Sequence, residues 1–269
     1  MISELAGLVT RNEGKKFLRL SPTVDEAVVE GSRGAVSLYI HIPFCKTLCP
    51  FCCFNRYLFK EEPARRYFKS LRKELDFYIQ RGFKFSEFYF GGGTPTVLMD
   101  ELLSFIDYLR KSFDVRRVSL ETTPREITTE VVAQLKSAGI NRLSIGVQSF
   151  NDDVLKAIGR PYLTGEEIKE KVMLAQGQFD TLNIDFVFNF PGQTLAQFED
   201  DVRQFKELKI DQATFYPLMA SPHKKDALER KFNRVDNSRE KKFYDVILRG
   251  LYHGGYTAST AWCFSRGER

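Results

Sequence analysis

The chain has no apolar run near the roughly 18 residues that a membrane-spanning helix needs. Its first residues also lack the charged-then-apolar layout of a secretion signal, so the sequence-based expectation is a cytoplasmic protein without a membrane span. It has no dense basic block. Lys and Arg exceed Asp and Glu by five charges, spread along amphipathic stretches, so a solvated surface accounts for them and nothing points to nucleic acid. Neither the GxGxxG spacing of a dinucleotide fold nor the lysine of a P-loop is present, and there is no nucleophile elbow and no metalloprotease motif. Internal repeats and low-complexity segments are missing too. Cysteine is scarce, with five in 269 residues, and an odd count without a secretion signal argues against a disulfide framework.

The few cysteines are crowded. Cys45, Cys49, Cys52 and Cys53 all fall inside LYIHIPFCKTLCPFCCFN, and the first three have the spacing C-x3-C-x2-C. Three thiolates this close can hold a soft metal or three irons of an iron-sulfur cluster, and a four-iron cluster so held keeps one iron open for chemistry. His41 stands four residues before Cys45, so a structural zinc site fits the same spacing. Before the cysteines, Val36, Leu38, Ile40 and Ile42 alternate with polar or aromatic residues, the period of a strand that Pro43 ends. Phe44, Phe51, Phe54, Tyr57 and Phe59 surround the thiols with apolar bulk that would exclude water.

With 43% hydrophobic residues the chain can bury a large core in one α/β domain. Residues 1–35 read as an N-terminal extension, 36–220 as the core domain, and 221–269 as the start of a C-terminal region that stops short. Beyond the cysteine strand, strands are expected at 85–90, 115–121, 141–147, 182–188 and 212–218. Helices are expected at 61–82, 97–113, 128–138, after Gly165, at 195–208 and at 238–252. Such alternation predicts a parallel sheet with right-handed crossovers. The 24 phenylalanines are ordinarily core, with a pocket for a flat hydrophobic substrate as the sharper alternative. The strand at 85–90 runs into Gly91-Gly92-Gly93-Thr94, a turn whose amides could approach an anion. Glu121, Gln148, Arg160 and Asp185 are polar residues at or beyond strand ends, where barrel chemistry lies.

YIHIPFC-x3-C-x2-C, followed by FGGGTP and GVQSF, resembles the HemN-like branch of the radical S-adenosylmethionine (SAM) enzymes. That resemblance implies a partial (β/α)6 barrel, a [4Fe-4S] cluster on Cys45, Cys49 and Cys52, and SAM as cofactor, in one copy or two. It carries SAM-binding roles to Gly92, Gly93 and Thr94, to Glu121 for the ammonium, and to Arg160 for a carboxylate. Gln148 and Asp185 would meet other polar groups, and Tyr39 and Phe51 match further contact positions; no catalytic residue is assigned. A planar, hydrophobic small-molecule substrate is implied, with a reductant such as flavodoxin or ferredoxin. Within the branch, CPFC-x-FNR-x-LF and Tyr216 to Met219 resemble methyltransferases of aromatic or quinone substrates such as menaquinone, which makes C-methylation the expectation. Oxygen-independent coproporphyrinogen III oxidation and HemW-type haem chaperoning are the alternatives, although Phe54 stands where the dehydrogenases carry a fourth cysteine.

Overall fold

The computed structural model describes residues 31, 34–219, 229, 230, 232 and 235–267; the reading of 1–35 as an extension lies almost wholly outside them. Six strands form the parallel part of one sheet: β1 (Val36–Ile42), β4 (Phe85–Gly92), β5 (Arg117–Thr122), β6 (Arg142–Gln148), β7 (Thr181–Phe188) and β8 (Gln212–Pro217). Each pairs in parallel with the next. A two-stranded pair, β2 (Phe44–Cys45) and β3 (Tyr57–Leu58), lies between β1 and β4 in sequence. The fold is α/β with a mostly parallel sheet, as expected, and each of the six parallel strands lies within two residues of its predicted bounds.

Helices Glu61–Gln80, Met99–Ser112, Thr129–Ser137, Gly165–Ala175 and Leu195–Leu208 follow strands in turn. Their starts are written in capping residues. Thr128 accepts from the Val131 amide, and Thr164 with Glu167 and Thr194 with Gln197 form reciprocal capping boxes. Two features escape the periodicity. The short helix Asp152–Ala157 has too few turns to show a period. The segment beyond helix Glu240–Tyr252 forms an antiparallel hairpin, β9 (Tyr256–Ala258) and β10 (Cys263–Arg266), that extends the sheet from β8. Its strands are too short and too rich in Ser and Thr to read as such.

Alternation along each strand divides the residues between two faces. Facing the helices are Phe88 and Phe90 on β4, Ile184, Phe186 and Phe188 on β7, and Phe215 on β8, all fully or nearly fully buried. Phe186 stacks on Phe215 with ring centroids 5.0 Å apart, and Phe198 and Phe205 of the helix Leu195–Leu208 pack edge-on against Phe215. This is where the phenylalanines go: the core use prevails, and among the described phenylalanines only Phe51 and Phe54 line the cavity described below. Among the described residues no helix is long and apolar enough to cross a membrane.

Candidate functional site

The other face of the sheet opens on a cavity of about 300 Å³. Its walls include Cys45, Cys49 and Cys52, the turn Gly92-Gly93-Thr94, Glu121, Gln148, Arg160, Asp185 and Phe51. Every site residue named from the sequence therefore meets there except Tyr39. Tyr39 faces the same side of the sheet from β1, but it stacks on Tyr89 and its hydroxyl bonds His41 Nδ1 at 3.0 Å. Tyr39 thus stands behind the wall, supporting Tyr89 without reaching the cavity.

The cysteine loop is closed by backbone. The Tyr57 amide donates to Pro43 O at 2.6 Å and the Phe59 amide to Cys45 O at 2.8 Å, which makes the β2–β3 pair a clasp around the three thiols. All five cysteines are free, so no disulfide forms. The zinc alternative fails on His41. Its Nε2 bonds Asn55 O at 2.9 Å while Nδ1 takes the Tyr39 hydroxyl, so both ring nitrogens are spent. Among the described residues no three His, Cys, Asp or Glu converge tightly enough for a single metal ion. Cys45, Cys49 and Cys52, free thiols in the wall of one cavity that Cys53 also lines, fit an iron-sulfur cluster. Burial raises the Cys45 and Cys52 thiols above the usual range, against a hydrogen bond from Thr94 to Cys45 and one from the Phe54 backbone to Cys52. Loading iron therefore displaces protons from buried thiols.

The glycine turn fits differently from its sequence reading. A Cβ on Gly93 would stand 2.7 Å from Phe44 O, and one on Gly92, whose φ is +120°, 2.8 Å from His41 Nδ1. Glycine lets the end of β4 nest against the cysteine strand. The amides are consumed in that nesting: Gly93 donates to Ile42 O and Thr94 to Phe44 O, both at 2.8 Å, and Gly92 donates to Glu121 Oε2 at 3.3 Å. A turn with its amides spent cannot cradle an anion through them, so the anion reading is corrected. Thr94 also sends its hydroxyl to Cys45 Sγ at 3.6 Å, tying the turn to the thiols.

Two carboxylates stand inside the sheet. Glu121 accepts from the Tyr89 hydroxyl at 2.7 Å, and burial raises its carboxyl against that bond. Asp185 accepts from Ser144 Oγ at 2.7 Å and from Asn183 Nδ2 at 2.8 Å, and Thr214 donates to Asn183 Oδ1 at 3.0 Å. Burial raises Asp185 as well, with Ser144 opposing. This network answers the usual objection to an acid in an apolar strand, since the group is hydrogen-bonded throughout. Arg160 donates Nε to Cys49 Sγ at 3.2 Å and a guanidinium nitrogen to Gly146 O at 2.5 Å. Its cation is thus beside the thiols already.

Sequence reasoning missed Tyr89, Arg142, Thr214 and Tyr162 as wall residues. For three of them a signal existed. Tyr89, Arg142 and Thr214 share the strand-alternation face of Glu121 and Asp185, whereas Tyr162 lies in a loop with no period to read.

The sequence model of the Radical SAM superfamily matches residues 39–205. The chain is 34% identical over 193 residues to the haem chaperone HemW of Bacillus subtilis (strain 168), covering 69% of this chain and 51% of that protein. It is 30% identical over 237 residues to the oxygen-independent coproporphyrinogen III oxidase of Escherichia coli (strain K12), covering 82% and 50%. Among solved structures, coproporphyrinogen III oxidase (HemN) from Escherichia coli superposes with a TM-score of 0.81 at 29% identity, over 91% of this chain and 58% of that one. The chain spans about half the length of the curated relatives it matches. These likenesses overturn the expectation of C-methylation: the relatives are haem chaperones and coproporphyrinogen oxidases, and the short runs resembling methyltransferases do not outweigh matches over most of the chain.

Proposed function

The chain belongs to the radical SAM superfamily, in its HemN-like family, and from that premise we propose that it cleaves SAM at a cluster on Cys45, Cys49 and Cys52 to oxidise a tetrapyrrole without oxygen. The family uses a [4Fe-4S] cluster and SAM. The observation that carries the reading is convergence: three free thiols, Glu121, Gln148, Arg160 and Asp185 share the walls of one cavity. Held by Cys45, Cys49 and Cys52, the cluster would supply the one-electron chemistry by which SAM is cleaved.

The chain's own residues hold and shield. Glu121, fixed by Tyr89 and the Gly92 amide, receives the ammonium group of SAM. Arg160 brings positive charge for a carboxylate. Asp185 and Gln148 accept and donate to the remaining polar groups, ribose hydroxyls among them. Phe51, Phe54, Val187 and Leu218 form the apolar part of the wall, which keeps water from a reactive intermediate and offers a flat substrate a surface. A low-potential flavodoxin or ferredoxin is the reductant we infer.

A second reading, haem chaperoning, is favoured by Phe54, which replaces the fourth cysteine of the dehydrogenases, and by the identity to HemW. Anaerobic reconstitution with iron, sulfide and SAM, followed by parallel incubation with coproporphyrinogen III and with haem, separates the two. Deoxyadenosine with decarboxylated porphyrinogen supports the oxidase; stoichiometric haem uptake without either product supports the chaperone. A chain that forms no deoxyadenosine and takes up no haem overturns both.

A further inference from the structure

Asp201 lies on the helix Leu195–Leu208, outside the cavity wall and fully buried. Its carboxylate takes two hydrogen bonds from consecutive residues of the turn after β6. Oδ2 accepts from Ser149 Oγ at 2.7 Å and Oδ1 from the Phe150 amide at 2.7 Å. Ser149 Oγ in turn accepts from the Asn151 amide at 3.0 Å, so one carboxylate organises three residues.

The residue just before this turn is Gln148, and its backbone is unusual. It has a φ of +75°, at a bulge where the register of β6 against β7 shifts between Gly146 and Gln148. A non-glycine residue held there is strained and persists only where the surroundings impose it. The bulge re-aims the side chain: Gln148 is buried in the cavity wall, with Gly146 leaving the space its amide occupies, since a Cβ there would lie 2.9 Å from Gln148 Nε2. The far side of the turn is pinned as well. A Cβ on Gly165 would fall 1.7 Å from Phe150 O, so the start of the helix Gly165–Ala175 abuts the turn with no clearance.

We propose that Asp201 is a positioning residue: by fixing Ser149 and Phe150 from behind, it holds Gln148 in the left-handed conformation that carries its amide into the cavity. Asp201 touches neither cavity nor cofactor and acts only through Gln148. Burial pushes its carboxyl up to about 7, an expense that simple helix packing does not require and that an apolar residue would avoid. The inference rests on the reading of Gln148 as a SAM contact.

The test compares D201N, S149A, Q148A and D201N/Q148A in the full chain. The first measurement is hydrogen exchange of the peptide spanning residues 146–151 in the iron-free protein. D201N puts an amide donor where two donors already point, and it should raise exchange there at least tenfold while β4 and β5 keep their protection. S149A, which removes the two bonds of the Ser149 hydroxyl and leaves the carboxylate with the Phe150 amide, should move in the same direction and serves if D201N does not fold. The second is SAM affinity of the reconstituted protein by equilibrium dialysis. D201N should weaken binding about tenfold, and the double variant should bind no more weakly than Q148A alone, because both act through one side chain. Unchanged exchange in both single variants, or additive losses in the double variant, would overturn the proposal. If Q148A weakens SAM binding and D201N does not, the positioning role fails while the site assignment stands; if Q148A binds as the wild type does, the assignment of Gln148 fails and the inference falls with it.

Discussion

The two faces of the sheet are made by the same strands and do different work. On β7, Ile184, Phe186 and Phe188 face the helices, and the residues alternating with them, Asn183, Asp185 and Val187, face the other way. On β8, Phe215 is locked among Phe186, Phe198, Phe205 and Phe264, while its neighbours Thr214 and Tyr216 line the cavity. The helix-facing side is apolar and aromatic, so burial and packing hold it together. The cavity side carries carboxylates, amides and hydroxyls that satisfy one another. Stability and chemistry are thus interleaved residue by residue, and a substitution one position along a strand should change its consequence in kind.

Four experiments would break or sharpen that division. The largest effect is expected at the thiols: C49A should reduce iron after anaerobic reconstitution to near zero, with the thermal midpoint of the iron-free chain almost unchanged. Retained iron would remove Cys49 from the ligand set. Next, F215A should cost roughly 3–5 kcal/mol by leaving a cavity among four aromatic rings, a fall in melting temperature on the order of 10 °C, with SAM affinity preserved in the folded fraction. A loss of affinity at unchanged stability would mean that the two faces are not separable. The converse is D185N, one face over on the adjacent strand. It should weaken SAM binding about tenfold and shift stability by only about 1 kcal/mol, since the amide keeps the shape but not the acceptor pair.

The smallest effect is a pH slope. The Asp201 carboxyl is held up to about 7 by burial, against hydrogen bonds from Phe150 and Ser149, whereas in the unfolded chain it ionises near about 4. Between those values the unfolded state binds fewer protons than the folded one, so stability falls as pH rises from about 4 to about 7 and then levels. D201N should flatten this slope, by at most a few kcal/mol, in melting curves taken from pH 5 to pH 8. An equal slope in wild type and variant would mean that the folded carboxyl ionises in its ordinary range.

Much of this was legible beforehand because strands that bury one face announce themselves by period 2. The bounds of β1, Val36–Ile42, follow from alternation and Pro43, and those of the helix Leu195–Leu208 from spacing and the Thr194 cap. The cysteine spacing and the polar residues at strand ends located the cavity. What stayed hidden depends on the third dimension. Asp201 sits in the run Glu199-Asp200-Asp201, and nothing in those letters separates the buried acid from its solvated neighbours. The positive φ of Gln148 has no glycine to mark it. The amides of the glycine turn looked available because their partners, Ile42 O at the end of β1 and Phe44 O in β2, lie about fifty positions earlier.

The clasp formed by Phe44–Cys45 and Tyr57–Leu58 separates the metal from the fold's survival. Because main-chain bonds tie the two ends of the cysteine loop together, and the aromatic layer lies on the opposite side of the sheet, the polypeptide should keep its shape without the cluster. A chelator should bleach such a protein without unravelling it, unlike a zinc finger, where removing the ion dissolves the domain. Oxidative damage to the inorganic centre would then be a repairable injury, reversed by reloading the same molecule.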